Sequence, residues 1–116
     1  MSEAEVQHAI LLKWGSYSRL RLWRTNTGKA KMNGRWVTFN TPGTPDICGI
    51  LNVCGVGVAI GIEVKSAKGT QTKEQCTFQR VYESLGALYI LARSVDDVTA
   101  AITGFTARLG DPCLNF

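Results

Sequence analysis

Residues 41–65 read TPGTPDICGILNVCGVGVAIGIEVK, and their parsing decides the architecture. Thr41-Pro42-Gly43-Thr44-Pro45 is a rigid loop, because each proline fixes its own φ and restricts its predecessor. It delivers Asp46 to the head of an apolar run, Ile47 to Val53. Gly55 and Gly57 mark a turn, and Val58 to Val64 forms the next strand, apolar until Glu63. The pair reads as a β-hairpin whose strands are mostly buried on both faces. Strand side chains alternate, so Glu63 and Lys65 face one side while Ile62 and Val64 face the other. A hairpin of this length can bring Asp46, 17 positions before Glu63, beside it.

Two carboxylates converging on one point repel, and each is harder to ionise unless a cation joins them. Oxygen ligands select a hard divalent ion, Mg²⁺ or Mn²⁺. Asp46 and Glu63 are the expected ligands, with the backbone carbonyl of Val64 as a third oxygen. Such an ion polarises a phosphodiester and activates a water, and Lys65 stands where it can orient that water or steady the developing negative charge. An isolated E-x-K is usually a solvated surface pair. Here it ends an apolar strand, follows a Pro-Asp strand start at hairpin distance, and precedes a helix.

The flanking elements extend this unit. Ser2, with Glu5 three residues on, forms a capping box for a helix over Glu3 to Trp14 that Gly15 and Ser16 end. Arg19 to Thr25 alternates as a strand, and Asn26-Thr27-Gly28 is a turn. Asn33-Gly34 is a hairpin signal before a strand over Arg35 to Phe39. Thr70 or Thr72 caps a helix through Leu85, with Gln75, Phe78, Val81 and Tyr82 at helical spacing. Leu88 to Ala92 is a short buried strand, Ser94 caps a last helix over Val95 to Ile102, and the tail after Gly104 has no clear period. The predicted order is α-β-β-β-β-α-β-α, an α/β sandwich around a mixed sheet.

The chain has 116 residues, 45% of them hydrophobic, enough for one domain with a real core. It contains no run of the roughly 20 apolar residues that a membrane span needs, and its acidic start is unlike a secretory leader. The expected setting is the cytoplasm. Net charge is +4, unevenly spread. Between Glu5 and Asp46 there is no acidic residue, while Lys13, Arg19, Arg21, Arg24, Lys29, Lys31 and Arg35 alternate with Trp14, Tyr17, Trp23, Trp36 and Phe39. Such a stretch suits a phosphate backbone; a merely solvated basic face is the competing reading. Arg19, Arg21, Arg24, Asn26, Lys29, Lys31 and Arg35, with Lys68 and Lys73 beyond the E-x-K, are the candidate DNA contacts. Trp23 and Trp36 could stack on unpaired bases, although such tryptophans more often belong to a core or an interface. Cys48, Cys54, Cys76 and Cys113 form no C-x-x-C pair, which argues against zinc; the first three read as small core residues. His8 reads as a helix-surface residue.

Pro42-Gly43-Thr44-Pro45-Asp46, Ile62-Glu63-Val64-Lys65, Gln71-Thr72-Lys73-Glu74-Gln75 with Phe78, and Gly86 with Tyr89 resemble the virus-type replication-repair nuclease (VRR-NUC) domain, one of the PD-(D/E)xK nucleases. The resemblance spans about Glu3 to Ile102. It implies a restriction-endonuclease-like fold, Asp46 and Glu63 as metal ligands, Lys65 as the catalytic lysine, Gln75 at the site, and an acidic residue in the first helix. Glu3 is preferred over Glu5 for that place because it shares a face with Gln7, Ile10 and Trp14. Gln75 could equally be a buried amide satisfying sheet-edge backbone. The stand-alone phage and bacterial members imply a homodimer acting on branched DNA in the manner of a Holliday-junction resolvase. Trp14, Tyr17, Trp23, Trp36, Phe105, Leu109, Leu114 and Phe116 are the candidate interface residues. The competing readings are a DNA-binding module with a vestigial site and a restriction-type endonuclease, although no spare segment stands out as a sequence reader.

Overall fold

The computed structural model describes residues 1–25, 29–38 and 41–111. Helix α1 (Glu3–Trp14) is followed by β1 (Leu20–Arg24), β2 (Lys29–Met32), β3 (Arg35–Thr38), β4 (Ile47–Val53) and β5 (Val56–Val64). Helix α2 (Lys73–Ser84), β6 (Leu88–Ala92) and α3 (Val95–Arg108) complete the chain. Four strands form one mixed sheet in the order β1-β4-β5-β6, with the first two pairings antiparallel and the last parallel. Strands β2 and β3 form a separate antiparallel pair.

The mixed sheet is covered on one face by α1 and α3. Val6, Ile10 and Trp14 from α1 and Val98 and Ile102 from α3 pack with Leu22, Ile47, Ile60, Ile62 and Ile90 of the strands in one cluster. Ile10, Ile47, Leu51, Ile60 and Ile62 are fully buried, and each such side chain contributes roughly 2 kcal/mol of burial. The opposite face carries α2, which lies against the site end of the sheet. There Gly61 leaves the room: a Cβ on it would stand 2.8 Å from Pro45 Cγ and 3.3 Å from Tyr82 Cε2. The loop that carries Asp46 and the helix that follows Lys65 therefore both close on β5.

The α/β sandwich around a mixed sheet is as expected, but the element order differs. Among the described residues there are five strands between α1 and α2, not four: Lys29–Met32 pairs with Arg35–Thr38 around Asn33 and Gly34, both at positive φ (51° and 78°). A two-residue turn with both positions left-handed matches the twist of its flanking strands. The β4–β5 turn falls at Cys54 and Gly55, also at positive φ, so β5 begins two residues earlier than predicted. Helix α3 runs on through Gly104 to Arg108, because Val98, Ile102 and Thr106 continue its buried face.

Burial corrects further expectations. Strand β4 is buried on one face only, with Ile50 and Asn52 exposed, and β5 is buried on both faces only from Ile60 onward. The second face is uncovered where α2 does not reach. Cys54 and Cys76 are exposed and Cys48 half-buried, so they are not core residues; Cys113 lies outside the described residues. Of the candidate interface residues, Trp14 is buried and Tyr17 and Phe105 pack against the core. Trp23, Trp36 and Leu109 are exposed, and Leu114 and Phe116 lie outside the described residues. Among the described residues no helix is long and apolar enough to cross a membrane.

Candidate active site

The site forms at the end of the sheet where β1 finishes, β4 begins and β5 ends. Ile47 pairs with Ile62 and with Arg24, so one further step of both registers sets Asp46 between Thr25 and Glu63. Two hydrogen bonds fix that step. The Val64 amide donates to Asp46 Oδ2 at 2.9 Å, and the Thr25 amide donates to the Asp46 carbonyl at 3.0 Å. The Thr25 hydroxyl also donates to the Pro45 carbonyl. Asp46 is thus held from both neighbouring strands.

Glu63 is only 3% exposed, yet its Oε1 has no hydrogen-bond partner, while its Oε2 lies 3.8 Å from Lys65 Nζ. Lys65 is 14% exposed. Burial pushes the Glu63 carboxyl up to about 8, helped by the neighbouring Asp46 carboxylate; Lys65 pulls it back, and Glu3 adds to the rise. The side chain is a buried acid with an orphaned oxygen beside a second acid, the environment in which a cation is most welcome.

The two candidates in the first helix now separate. Glu5 is engaged in its own cap: its amide donates to Ser2 Oγ, and the Ser2 hydroxyl donates to its Oε1. Glu3 is the one whose charge reaches Glu63. Gln75 has a different use from the expected one. Its Oε1 accepts from the Thr72 amide at 2.8 Å, and its amide donates to Thr72 Oγ1, a capping box that starts α2.

A polar group that sequence reasoning did not assign flanks Glu63. Tyr89, in register with Gly61 on β6, is buried with its hydroxyl 3.2 Å from Gln71 Nε2, which also donates to Gln79 Oε1 at 2.9 Å. Burial raises the Tyr89 phenol to about 12, with further increments from Glu63 and Asp46. Arg93 follows β6, and the amide of Lys65 donates to the Ala92 carbonyl. Arg93 Nη1 donates to the carbonyls of Ser66 (2.7 Å) and Gly69 (2.9 Å), bracing the turn behind Lys65. The parallel β5–β6 register is what brings these residues here, and it is invisible in local pattern.

The basic residues divide. Arg24 is exposed at the site end of β1, Lys68 is exposed in the turn behind Lys65, and Lys73 is exposed at the start of α2. Arg21 is exposed on the open sheet face, and Lys31 and Arg35 are exposed on the β2–β3 hairpin. Lys29 lies in β2, and Asn26 lies outside the described residues. Arg19 is a correction. Its guanidinium pairs with the buried Asp111 carboxylate and reaches the Asn52 carbonyl, at the opposite end of β1 from Asp46. The same Asp111 oxygen accepts from the Cys54 amide. Arg19 therefore ties the β4–β5 turn to the C-terminal segment instead of facing a ligand.

An apolar groove of about 460 Å³ opens beside the loop that carries Asp46, lined by Thr41, Pro42, Lys73, Phe78, Val81 and Tyr82, among others. Among the described residues no group of three or more His, Cys, Asp or Glu side chains gathers to hold a metal; the acidic pair is Asp46 and Glu63. This donor set still suits Mg²⁺, which keeps several of its waters and is commonly bound through one or two carboxylates. No protein-family model, curated protein or solved structure matches the chain.

Proposed function

We propose that this protein is a Mg²⁺- or Mn²⁺-dependent endodeoxyribonuclease of the PD-(D/E)xK type, similar to VRR-NUC domains, that hydrolyses phosphodiester bonds in branched DNA. One observation carries the reading: the buried Glu63 carboxylate has an oxygen without a partner and stands between a second carboxylate and a lysine. Asp46 Oδ1, the Glu63 carboxylate and the Val64 carbonyl would hold the ion, which when bound polarises the phosphodiester and lowers the pKa of water. Asp46 is kept in place by the Val64 amide. Lys65 presents its ammonium beside Glu63, where it can donate to a water and orient it, or stabilise an equatorial oxygen of the phosphate. Glu3 adds negative charge at the rim, and Arg24, Lys68 and Lys73 supply backbone contacts on the same side.

The active unit we infer is a homodimer. Trp23 is 47% exposed, and Ile50, on the neighbouring strand β4 and on the same sheet face, is exposed too, apolar side chains that a protomer contact would cover. Two-fold pairing would set two sites on two strands. The second reading is a DNA-binding module without activity, and the observation that favours it is the gathering of two carboxylates and not three. A cleavage panel separates them: blunt duplex, flap, splayed arm and four-way junction, each with Mg²⁺, Mn²⁺ or Ca²⁺. The nuclease reading expects Mg²⁺- or Mn²⁺-dependent cutting of a branched substrate. Binding without cutting under all three ions supports the module.

A further inference from the structure

The β2–β3 hairpin takes no part in the hydrophobic core, and its strands pair only with each other. Every side chain from Lys31 to Val37 is exposed, including Trp36 at 71%. An isolated two-stranded hairpin is marginally stable, and large apolar side chains on it gain nothing from solvent. Its register sets Lys31 directly opposite Trp36, so a cation and an indole share one face of the ribbon. Met32 and Arg35 pair on the other face. No acidic residue lies anywhere between Glu5 and Asp46, so the arm presents an unopposed positive field, complementary to a polyanion and repulsive to a second copy of itself.

The arm is also rooted at the candidate active site. It leaves the sheet after Thr25 and returns before Asp46, and the Thr25 amide is bonded to the Asp46 carbonyl.

We propose that this hairpin is a DNA-gripping arm in which Trp36 stacks on an unstacked base at a branch point while Lys31 contacts the adjoining phosphate. The inference rests on the nuclease reading and deepens it, by assigning recognition of the branch to the hairpin. Stacking on an indole is indifferent to base identity, so the arm selects for unpaired structure and not for sequence. A continuous duplex offers no open base face and engages only the charge.

The test is fluorescence anisotropy on a labelled four-way junction and on a blunt duplex of equal length, in Ca²⁺, with wild type, Trp36→Ala, Trp36→Phe and Lys31→Ala. Trp36→Ala should weaken junction binding about ten-fold and duplex binding less than about two-fold, and Trp36→Phe should recover most of the loss. Lys31→Ala should weaken both and lower the salt slope by about one unit. The Trp36→Ala variant should unfold at the wild-type temperature, since the indole has no place in the core. Junction binding unchanged in Trp36→Ala, equal loss on both DNAs, or no recovery with Phe would overturn the arm. A fall in unfolding temperature, or a change of mass by light scattering, would equally overturn it by making Trp36 a structural or protomer contact. Wild-type cleavage of the junction with Mg²⁺, run alongside, keeps the two claims apart. Cleavage by wild type with any of these negative results removes the arm alone, whereas a wild type that neither binds nor cuts the junction removes both.

Discussion

At the scale of single residues, Glu63 governs the behaviour of the site. Its carboxyl is raised from 4.5 to about 8, so between those values the folded chain binds a proton that the unfolded chain has released. That stabilisation is fully present below about 4.5 and is lost as pH rises through about 8. The metal-free protein should therefore lose unfolding temperature between pH 5 and pH 8.5, and Glu63→Gln should flatten that slope in a pH series of thermal melts. Mg²⁺ should act in the opposite sense, raising wild-type stability more at pH 8.5 than at pH 6, because the ion displaces the proton. A metal-free melt that is pH-independent over this range would show that Glu63 is not held as a buried acid. Lys65 has a different signature. Lys65→Ala should reduce the single-turnover cleavage rate by about 10²-fold or more with DNA affinity within about three-fold, and an affinity loss at unchanged rate would remove it from the chemistry. Asp46, Glu63 and Lys65 were legible because strand alternation and one antiparallel hairpin are local patterns. Arg19 was not, because its partner Asp111 lies 92 residues away, and no short-range signal distinguishes an arginine that pairs internally from one that faces a phosphate.

At the scale of elements, the same distinction gives a paired prediction. Arg19→Ala leaves the buried Asp111 without its cation, which costs about 3 kcal/mol. It should lower the unfolding temperature by roughly ten degrees and leave the salt dependence of DNA binding as in wild type. Arg24→Ala, at the site end of the same strand, should do the reverse: little change in melting, and a log-log salt slope smaller by about one unit. A salt slope reduced equally by both substitutions would mean that Arg19 faces the DNA after all. Strand β2 was missed because Lys29-Ala30-Lys31-Met32 alternates over only four residues, none of them β-branched or aromatic, and its partner and the Asn33-Gly34 turn are what define it. Helix α2 was legible from a cap at Thr70 or Thr72, and Thr72 is the one that caps it. Its lack of any buried residue was hidden, because helical spacing of Phe78, Val81 and Tyr82 reports a stripe and not whether anything covers it. The resemblance put Gln75 at the site, whereas a position three residues after the cap is where an amide closes a capping box.

At the scale of the whole molecule, the chain is elongated, with extents of 53 × 31 × 24 Å, and Lys29, Lys31 and Arg35 lie on the hairpin while Arg24, Lys65, Lys68 and Lys73 lie around the site end of the sheet. The sandwich of helices on a mixed sheet was legible from the sequence of caps, periods and turns. The parallel pairing of β5 with β6, which brings Tyr89 and Arg93 to the site, depends on a crossover that no window of sequence contains. The proposed homodimer makes a prediction at this scale: light scattering at micromolar concentration should return about twice the chain mass of 12.7 kDa. A monomer mass, free and on a junction, would leave a single-strand nicking enzyme as the alternative. The central claim, that Asp46 and Glu63 form a metal-dependent nuclease site, is tested most directly by single-turnover cleavage of a four-way junction with Mg²⁺, comparing wild type with Asp46→Asn. The substitution keeps an oxygen that can accept from the Val64 amide, so the fold and DNA binding should persist while cleavage is abolished. Cleavage by Asp46→Asn at the wild-type rate would contradict the account.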